Sequence, residues 1–390
     1  MTKKQLQLGT LLFAIFIDML GFGIVMPILP RYAESLGAPA WQIGWVMGIF
    51  SLAQLIMLPF WGYLSDRIGR KPVLVISMLG TAVGYLIIGV GRSMLIVLLG
   101  RALDGAAGGN MSVIQASVTD LTTPEERAGM MGKIGAAYGL GFIFGPALGG
   151  WSAHYWGGAS PMLIGACLAA LNVLLIIAIL PEPLKEKKIK RAEHPPLWKI
   201  LEHVDRKKYL PALSTFFCFV VGFSMMMTLL TLFFYHRYGI NELQVGYVYT
   251  MFGVIAIVLE GGLFGLLAKK FSHRGIAVTG ALLLVGAAFM MPLMWNTIMA
   301  ISCCAILAIG DSLLTPVLPT VVSKSAKEEW QGAAFGVYQS AGSLARCIGP
   351  VMAGTFLVLN LHGPHYALTS FWIASGFLLV SFFFSTKLPS

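Results

Sequence analysis

"GYLSDRIGRK", residues 62–71, places Asp66, Arg67, Arg70 and Lys71 within ten positions of a chain that otherwise avoids charge. Apolar stretches flank it at 42–63 and 72–91, each close to the ~20 residues a helix needs to cross a bilayer. A short charged segment between two such stretches reads as the turn of a helical hairpin held at a membrane surface. Composition agrees. Of 390 residues, 57% are hydrophobic and 11% charged, where a soluble globular protein carries roughly 25% charged residues. In lipid the backbone must satisfy its own hydrogen bonds, which leaves helices and closed barrels. The short alternating segments of a barrel are not seen in the sequence, so the expected fold class is an all-α membrane protein.

Twelve candidate spans follow, from 8–30 through 366–386. The first begins behind Lys3 and Lys4 and runs to about Pro30. That is longer than the ~7–15-residue core of a cleavable signal. An even count puts both termini on one side. If that side is the cytoplasm, 22 of the 27 Lys and Arg fall there, and only Arg31, Arg92 and Arg237 fall outside. The positive-inside rule therefore orients the chain. It also accounts for the net charge of +10 without nucleic acid. Cys167, Cys218, Cys303, Cys304 and Cys347 all lie in apolar segments and show neither disulfide nor metal spacing. His362 and His365 likewise stand apart from other ligating residues, and no metal is expected.

One long polar stretch, 181–210, divides the chain. The expected organisation is a six-helix bundle over 1–181, a cytoplasmic linker over 182–209 and a second six-helix bundle over 210–390. The linker's "LWKILEHVDRKKYL" has the pattern of a surface helix. The halves echo one another. Residues 122–150 align with 326–354 at an offset of 204, matching Gly145-Pro146 to Gly349-Pro350 and Gly150 to Gly354. Residues 62–71 align with 265–274 at an offset of 203. Such duplication is the mark of transporters that place a site near the midplane between two repeats.

Four segments in order resemble the major facilitator superfamily, and within it the twelve-span drug:proton antiporters that include tetracycline efflux proteins. They are "IDMLGFGIVMPILP" (17–30), "GYLSDRIGRK" (62–71), "RALDGAAGG" (101–109) and "GKIGAAYGLGFIFGPALGG" (132–150). The resemblance covers essentially the whole chain. It implies two pseudo-symmetric six-helix bundles and a proton gradient as energy source, with no cofactor.

The turn at 62–71 then acquires a role. Gly62 and Gly69 are expected to allow close approach and a sharp turn, while Arg67, Arg70 and Lys71 hold it on the cytoplasmic face. Asp66 is not required by topology. Its candidate partners are Arg70, and Asp120 through a shared arginine, or the positive end of a helix, which the resemblance suggests is span eleven. The cluster reads as a conformational latch. The second-half copy carries Lys269 where the first has Asp66, so the latch is one-sided.

Ionisable residues inside spans cost several kcal/mol and mark pathways, relays or pairs. Six are expected at the coupling site or substrate cavity. Asp18 lies about ten residues, ~15 Å, into span one, as a proton carrier or a helix-pairing group. Arg101 and Asp104 share one face of span four, as a coupling switch or a static pair. The resemblance implies a role in proton transfer for Arg101, whereas Asp104 departs from the family's uncharged residue. Asp311 and Arg346 sit near mid-depth of spans ten and eleven, where a salt bridge between them is the simplest expectation. Glu260, in the inner part of span eight, is a carrier candidate or a solvated vestibule acid. Gly141, Gly145, Pro146, Gly149 and Gly150 form the antiporter motif, with Pro146 kinking its helix and the glycines permitting tight contact with the opposite half. Met225–Met227 are packing residues or, being flexible, part of an apolar cavity.

The reading that follows is a proton-coupled exporter of a small amphiphilic molecule. It is expected to be a multi-pass protein of a bacterial inner membrane with both termini cytoplasmic, to have protons and membrane lipids but no nucleic acid as partners, and to be monomeric. Alternatives are a sugar, metabolite or lysolipid transporter of the same fold, or a non-transporting receptor or scaffold. No enzyme signature and no G-x-x-x-x-G-K phosphate loop is found in the sequence.

Overall fold

The computed structural model describes residues 3–182, 197–361 and 366–389. Part of the linker (183–196) and both His362 and His365 lie outside these residues. Among the described residues the regular elements are helical, apart from a single β-bridge between Val204 and Ala326. In the first half these are α1 (Lys3–Val25), α2 (Leu29–Ser35), α3 (Ala40–Ile68), α4 (Arg70–Val90), α5 (Met94–Ala107), α6 (Asn110–Leu121), α7 (Pro124–Trp156) and α8 (Ser160–Ile179). After α9 (Leu197–Glu202), the second half has α10 (Arg206–Tyr238), α11 (Glu242–Val258), α12 (Phe264–Lys270), α13 (His273–Met290), α14 (Thr297–Leu314), α15 (Val317–Ser325), α16 (Gln331–Leu357) and α17 (Leu368–Ser385).

Helix ends follow local chemistry. Thr123 and Glu126 form a reciprocal capping box on α7, behind a proline at the first helical position. Asp205, Ser272 and Asn296 each accept a backbone N–H at the start of α10, α13 and α14. Gly239 closes α10 in the left-handed region, φ +67°. The surface helix expected over 197–210 is broken: α9 ends at Glu202 and α10 starts at Arg206.

Ten helical runs among the described residues are long and apolar enough to cross a membrane. Two candidate spans fall outside that measure. One is α5 and α6, each too short alone because the helix is interrupted at Gly108-Gly109. The other is α7, which is long enough but whose glycines dilute its hydropathy.

The chain forms two compact units. The first comprises the described residues of Met1–Ala38, Ile49–Ala192 and Asn241–Gly253. There α1 packs on α7 and α8, and α4 on α5 and α8, around a core that includes Leu11, Ile15, Leu74, Met78 and Ile176. The second comprises the described residues of Pro39–Gly48, Glu193–Ile240 and Val254–Ser390. There α10 is central, packed by α15, α16 and α17, with Tyr209, Phe233, Phe234 and Phe371 fully buried. Met225, Met226 and Met227 belong to this core, with at most 6% exposed. Each unit takes in one short piece of the other sequence half: α3 is divided after Gly48 and α11 after Gly253.

Candidate functional site

The turn at 62–71 is built around one guanidinium. Arg70, buried at the start of α4, pairs with Asp66 at 2.7 Å and with Asp120 of α6 at 3.0 Å. It also donates to the Ser65 hydroxyl at 2.6 Å. The arginine shared between two carboxylates is the arrangement the sequence suggests. Among the described residues, Arg67 reaches only the Tyr63 hydroxyl, at 3.4 Å. Gly62 does not make the turn: it lies inside α3, and a β-carbon there would meet no described atom within 4 Å. The turn falls entirely on Gly69, whose φ of +112° is open to glycine alone.

A residue that sequence reasoning missed completes this corner. Glu182, beyond the end of α8, accepts the backbone N–H groups of Arg70 at 2.8 Å and Lys71 at 3.1 Å. Gly69 supplies no side-chain cap, so Glu182 provides the carboxylate that a helix N-terminus favours. Lys71 in turn donates through Nζ to the Ile177 carbonyl at 2.8 Å. Nothing in local sequence spacing links positions 70 and 182.

The intramembrane charges of the first unit converge. Arg101 Nη1 donates to Asp104 at 2.7 Å, with their side chains 4% and 3% exposed. The guanidinium carbon lies 4.5 Å from the Phe50 ring centroid, a cation–π contact strengthened by desolvation. Thr81 hydrogen-bonds the Asp104 carboxyl, and Asp18 and Tyr85 stand within electrostatic reach of it. Asp18 itself is half-buried on α1. Three residues of the expected site therefore form one cluster.

One turn further on, the fourth candidate span breaks. The carbonyls of Ala106, Ala107 and Gly108 accept side-chain donors: Trp61 Nε1 at 2.6 Å, the Ser77 hydroxyl, and Gln54 Nε2 at 2.9 Å. In lipid a broken helix persists only where neighbours satisfy its backbone, and these three side chains do so. Interrupted helices beside buried charge are typical of transporter sites. The signal for the break is Gly108-Gly109; the donors carry no signal of their own.

The antiporter-motif glycines divide between two neighbours. Gly141, Gly145 and Gly149 face α1, from the same half: a β-carbon on Gly141 would lie 2.6 Å from Met19, and one on Gly145 2.8 Å from Gly23. The expected contact with the opposite sequence half is made at Gly150 and at the Pro146 carbonyl. A β-carbon on Gly246 of α11 would sit 2.5 Å from that carbonyl oxygen, and one on Gly150 2.5 Å from the Glu242 oxygen. α7 runs through Pro146 without interruption. The second unit repeats the device, with Gly44 of α3 against the Pro350 carbonyl and Gly354.

The second unit's charges are dispersed. Asp311 accepts the Thr315 hydroxyl at 3.2 Å, one turn along its own helix. Arg346 donates to Ser343 at 3.2 Å and lies within electrostatic reach of Tyr338, which stacks on Phe216 at 3.8 Å. The expected Asp311–Arg346 salt bridge is not found among the described residues, where Asp311 accepts from Thr315 and Arg346 donates to Ser343. Glu260 occupies a π-helical turn, Leu259–Leu263, a feature frequent at functional sites. That turn packs on α14, bringing Glu260 within electrostatic reach of Asp311.

Residues 11–350 match the family described as the Major Facilitator Superfamily. The chain belongs to this superfamily. Among its relatives, Multidrug resistance protein 2 of Bacillus subtilis (strain 168) is 29% identical over 381 residues, covering 95% of this chain and 92% of that protein. Tetracycline resistance protein, class B, of Escherichia coli is 27% identical over 356 residues, covering 89% and 86%. Among solved structures, a bacterial homolog of the human lysosomal transporter Spinster superposes with a TM-score of 0.82 at 15% identity, over 99% of this chain and 98% of that one. The fold is thus that of a major facilitator, a multi-pass membrane protein.

Proposed function

We propose that this major facilitator exports small amphiphilic molecules, drugs among them, in exchange for protons by alternating access. The observation that carries the reading is the Arg101–Asp104 pair, sealed from solvent beside a broken helix and within reach of Asp18. A desolvated pair of this kind is costly and acid–base active, so protonation of a carboxylate in the cluster would release Arg101 to another partner. Asp18, Arg101 and Asp104 couple the proton, while Glu260, Asp311 and Arg346 contribute from the second unit. The Asp66–Arg70–Asp120 network is the latch. Similarity to multidrug and tetracycline resistance proteins supports the cargo class. Both termini lie in the cytoplasm of a bacterial inner membrane. The chain acts as a monomer, driven by the proton gradient with no cofactor.

Everted vesicles energised to an acid interior and loaded with a fluorescent pH probe test this. Tetracyclines, lipophilic cations, sugars and lysolipids are added one at a time. An amphiphilic drug is expected to release protons, and Arg101→Ala to abolish the release. Release triggered by sugars alone would overturn the cargo assignment. Transport that follows a sodium gradient would overturn the coupling ion.

A further inference from the structure

The first unit carries a cavity that the transport reading does not use. It lies where the start of α1, the start of α4 and the end of α8 meet. Leu6, Gln7, Lys71 and Ala178 to Pro181 line a volume of about 380 Å³. Its walls are apolar: Leu6, Ile179, Leu180 and Pro181. Its polar groups are two. Lys71 spends one of three ammonium donors on the Ile177 carbonyl. The Gln7 amide is only 9% exposed, and among the described residues it has no hydrogen-bond partner. Solvent reaches that amide, so it and the two remaining Lys71 donors are open to an acceptor that enters the groove. The nearby carboxylate of Glu182 is turned onto the backbone N–H groups of Arg70 and Lys71.

The three helix ends lie at one level, because residues of each line the same cavity. A site at that level with apolar walls, one cation and one neutral donor matches a single chemistry. A phosphate takes the ammonium and amide hydrogen bonds, while hydrocarbon covers the walls. We infer that the groove binds an anionic phospholipid, with its phosphate between Lys71 and Gln7 and its upper acyl chain along Leu6, Ile179 and Leu180. The assignment uses the orientation proposed above only to choose the cytoplasmic leaflet; the binding itself does not depend on it. The lipid joins α1 of the proton cluster to the start of the latch helix.

Mass spectrometry of the intact, full-length protein released from non-ionic detergent tests this by counting retained phosphatidylglycerol against phosphatidylcholine. One phosphatidylglycerol is expected to be retained in preference. Lys71→Gln is expected to lower its occupancy about fivefold, since a cation near a lipid surface contributes about 1 kcal/mol. Gln7→Leu should lower it as well, and Arg206→Gln should not. Equal retention of the two lipids, or equal loss with Arg206→Gln, would overturn the site. So would displacement by inorganic phosphate alone, or by tetracycline in place of lipid. Proton release in the transport assay is read separately, so failure of one does not imply failure of the other.

Discussion

The carboxylate of Glu182 occupies the place where a side chain on Gly69 would go: a β-carbon there would lie 2.5 Å from Oε2. The same glycine holds φ +112° and ψ 160°, a region populated almost only by glycine. Turn and cap are therefore one construction, made from residues 113 positions apart in sequence. Gly69→Ala meets both obstacles. It is expected to destabilise the protein by about 1–3 kcal/mol, read as a lowered melting temperature in detergent. Gly62→Ala, in open space within α3, should be neutral or slightly stabilising. Equal effects would disprove this division of labour. Glu182→Gln should cost less than Gly69→Ala, because its amide oxygen still accepts from the two N–H groups.

The Arg101–Asp104 pair separates stability from coupling. Arg101→Ala leaves a carboxylate in a site that is 3% exposed and is expected to cost about 3–5 kcal/mol. Asp104→Asn keeps an acceptor for Arg101 and Thr81 and should cost less. Asp18→Asn, half-buried on α1, should leave the melting temperature nearly unchanged yet abolish proton-coupled release in vesicles. Normal release in that variant would remove Asp18 from the coupling route.

The glycine crossings predict a graded series. Gly246→Ala and Gly150→Ala each drive a β-carbon to 2.5 Å from a backbone oxygen, where no rotamer change gives relief. Both should lose transport and folded yield. Gly132→Ala and Gly135→Ala, on the same α7 with nothing within 4 Å, should retain both. Fluorescence-detected size exclusion and drug-release assays on the four variants check it.

Acid should loosen the start of α1. Lys4 Nζ donates to Glu126 at 2.5 Å, and this bond, with the Thr123 N–H, holds the Glu126 carboxyl below its ordinary value. A depressed carboxyl contributes above its unfolded value of about 4.3 and loses that contribution as pH falls through the folded one. Hydrogen exchange over residues 4–10 is expected to be flat from pH 7 to about 5, after correction for intrinsic rates, and to rise below that. Glu126→Gln should raise it throughout and remove the step. Both groups are exposed, so added salt should weaken the contact.

Much of this was legible in sequence where the signal is local. Apolar length gives the helices, and the Lys and Arg distribution gives an orientation. Arg70 stands four residues from Asp66, a spacing that one helical turn brings together, while Asp120, fifty residues on, is a candidate partner that spacing alone does not select. What hydropathy reports, however, is the solvent around a helix and not the partner it packs against. Gly141, Gly145 and Gly149 read as contacts with the other half because glycine announces close approach without direction, and they face α1. Asp311 and Arg346 match in depth, yet depth does not fix the azimuth of a side chain about its helix, and each turns to its own neighbour. Gln54, Ser77 and Trp61 could not be singled out, since a donor to a broken helix looks like any polar or aromatic residue until the break is placed. Glu182 hid in a charged linker whose other residues gave no reason to choose it.

Where α11 meets α7, and where α3 meets α16, glycine faces backbone on both sides. Packed helices ordinarily drift by exchange, one partner growing as the other shrinks. Here neither partner has a side chain to give up, so no second substitution compensates a first. The duplicated crossings are locked against gradual change, each by the other's lack of room. Any adaptation of the chain to new cargo is therefore channelled to the remaining faces of these four helices.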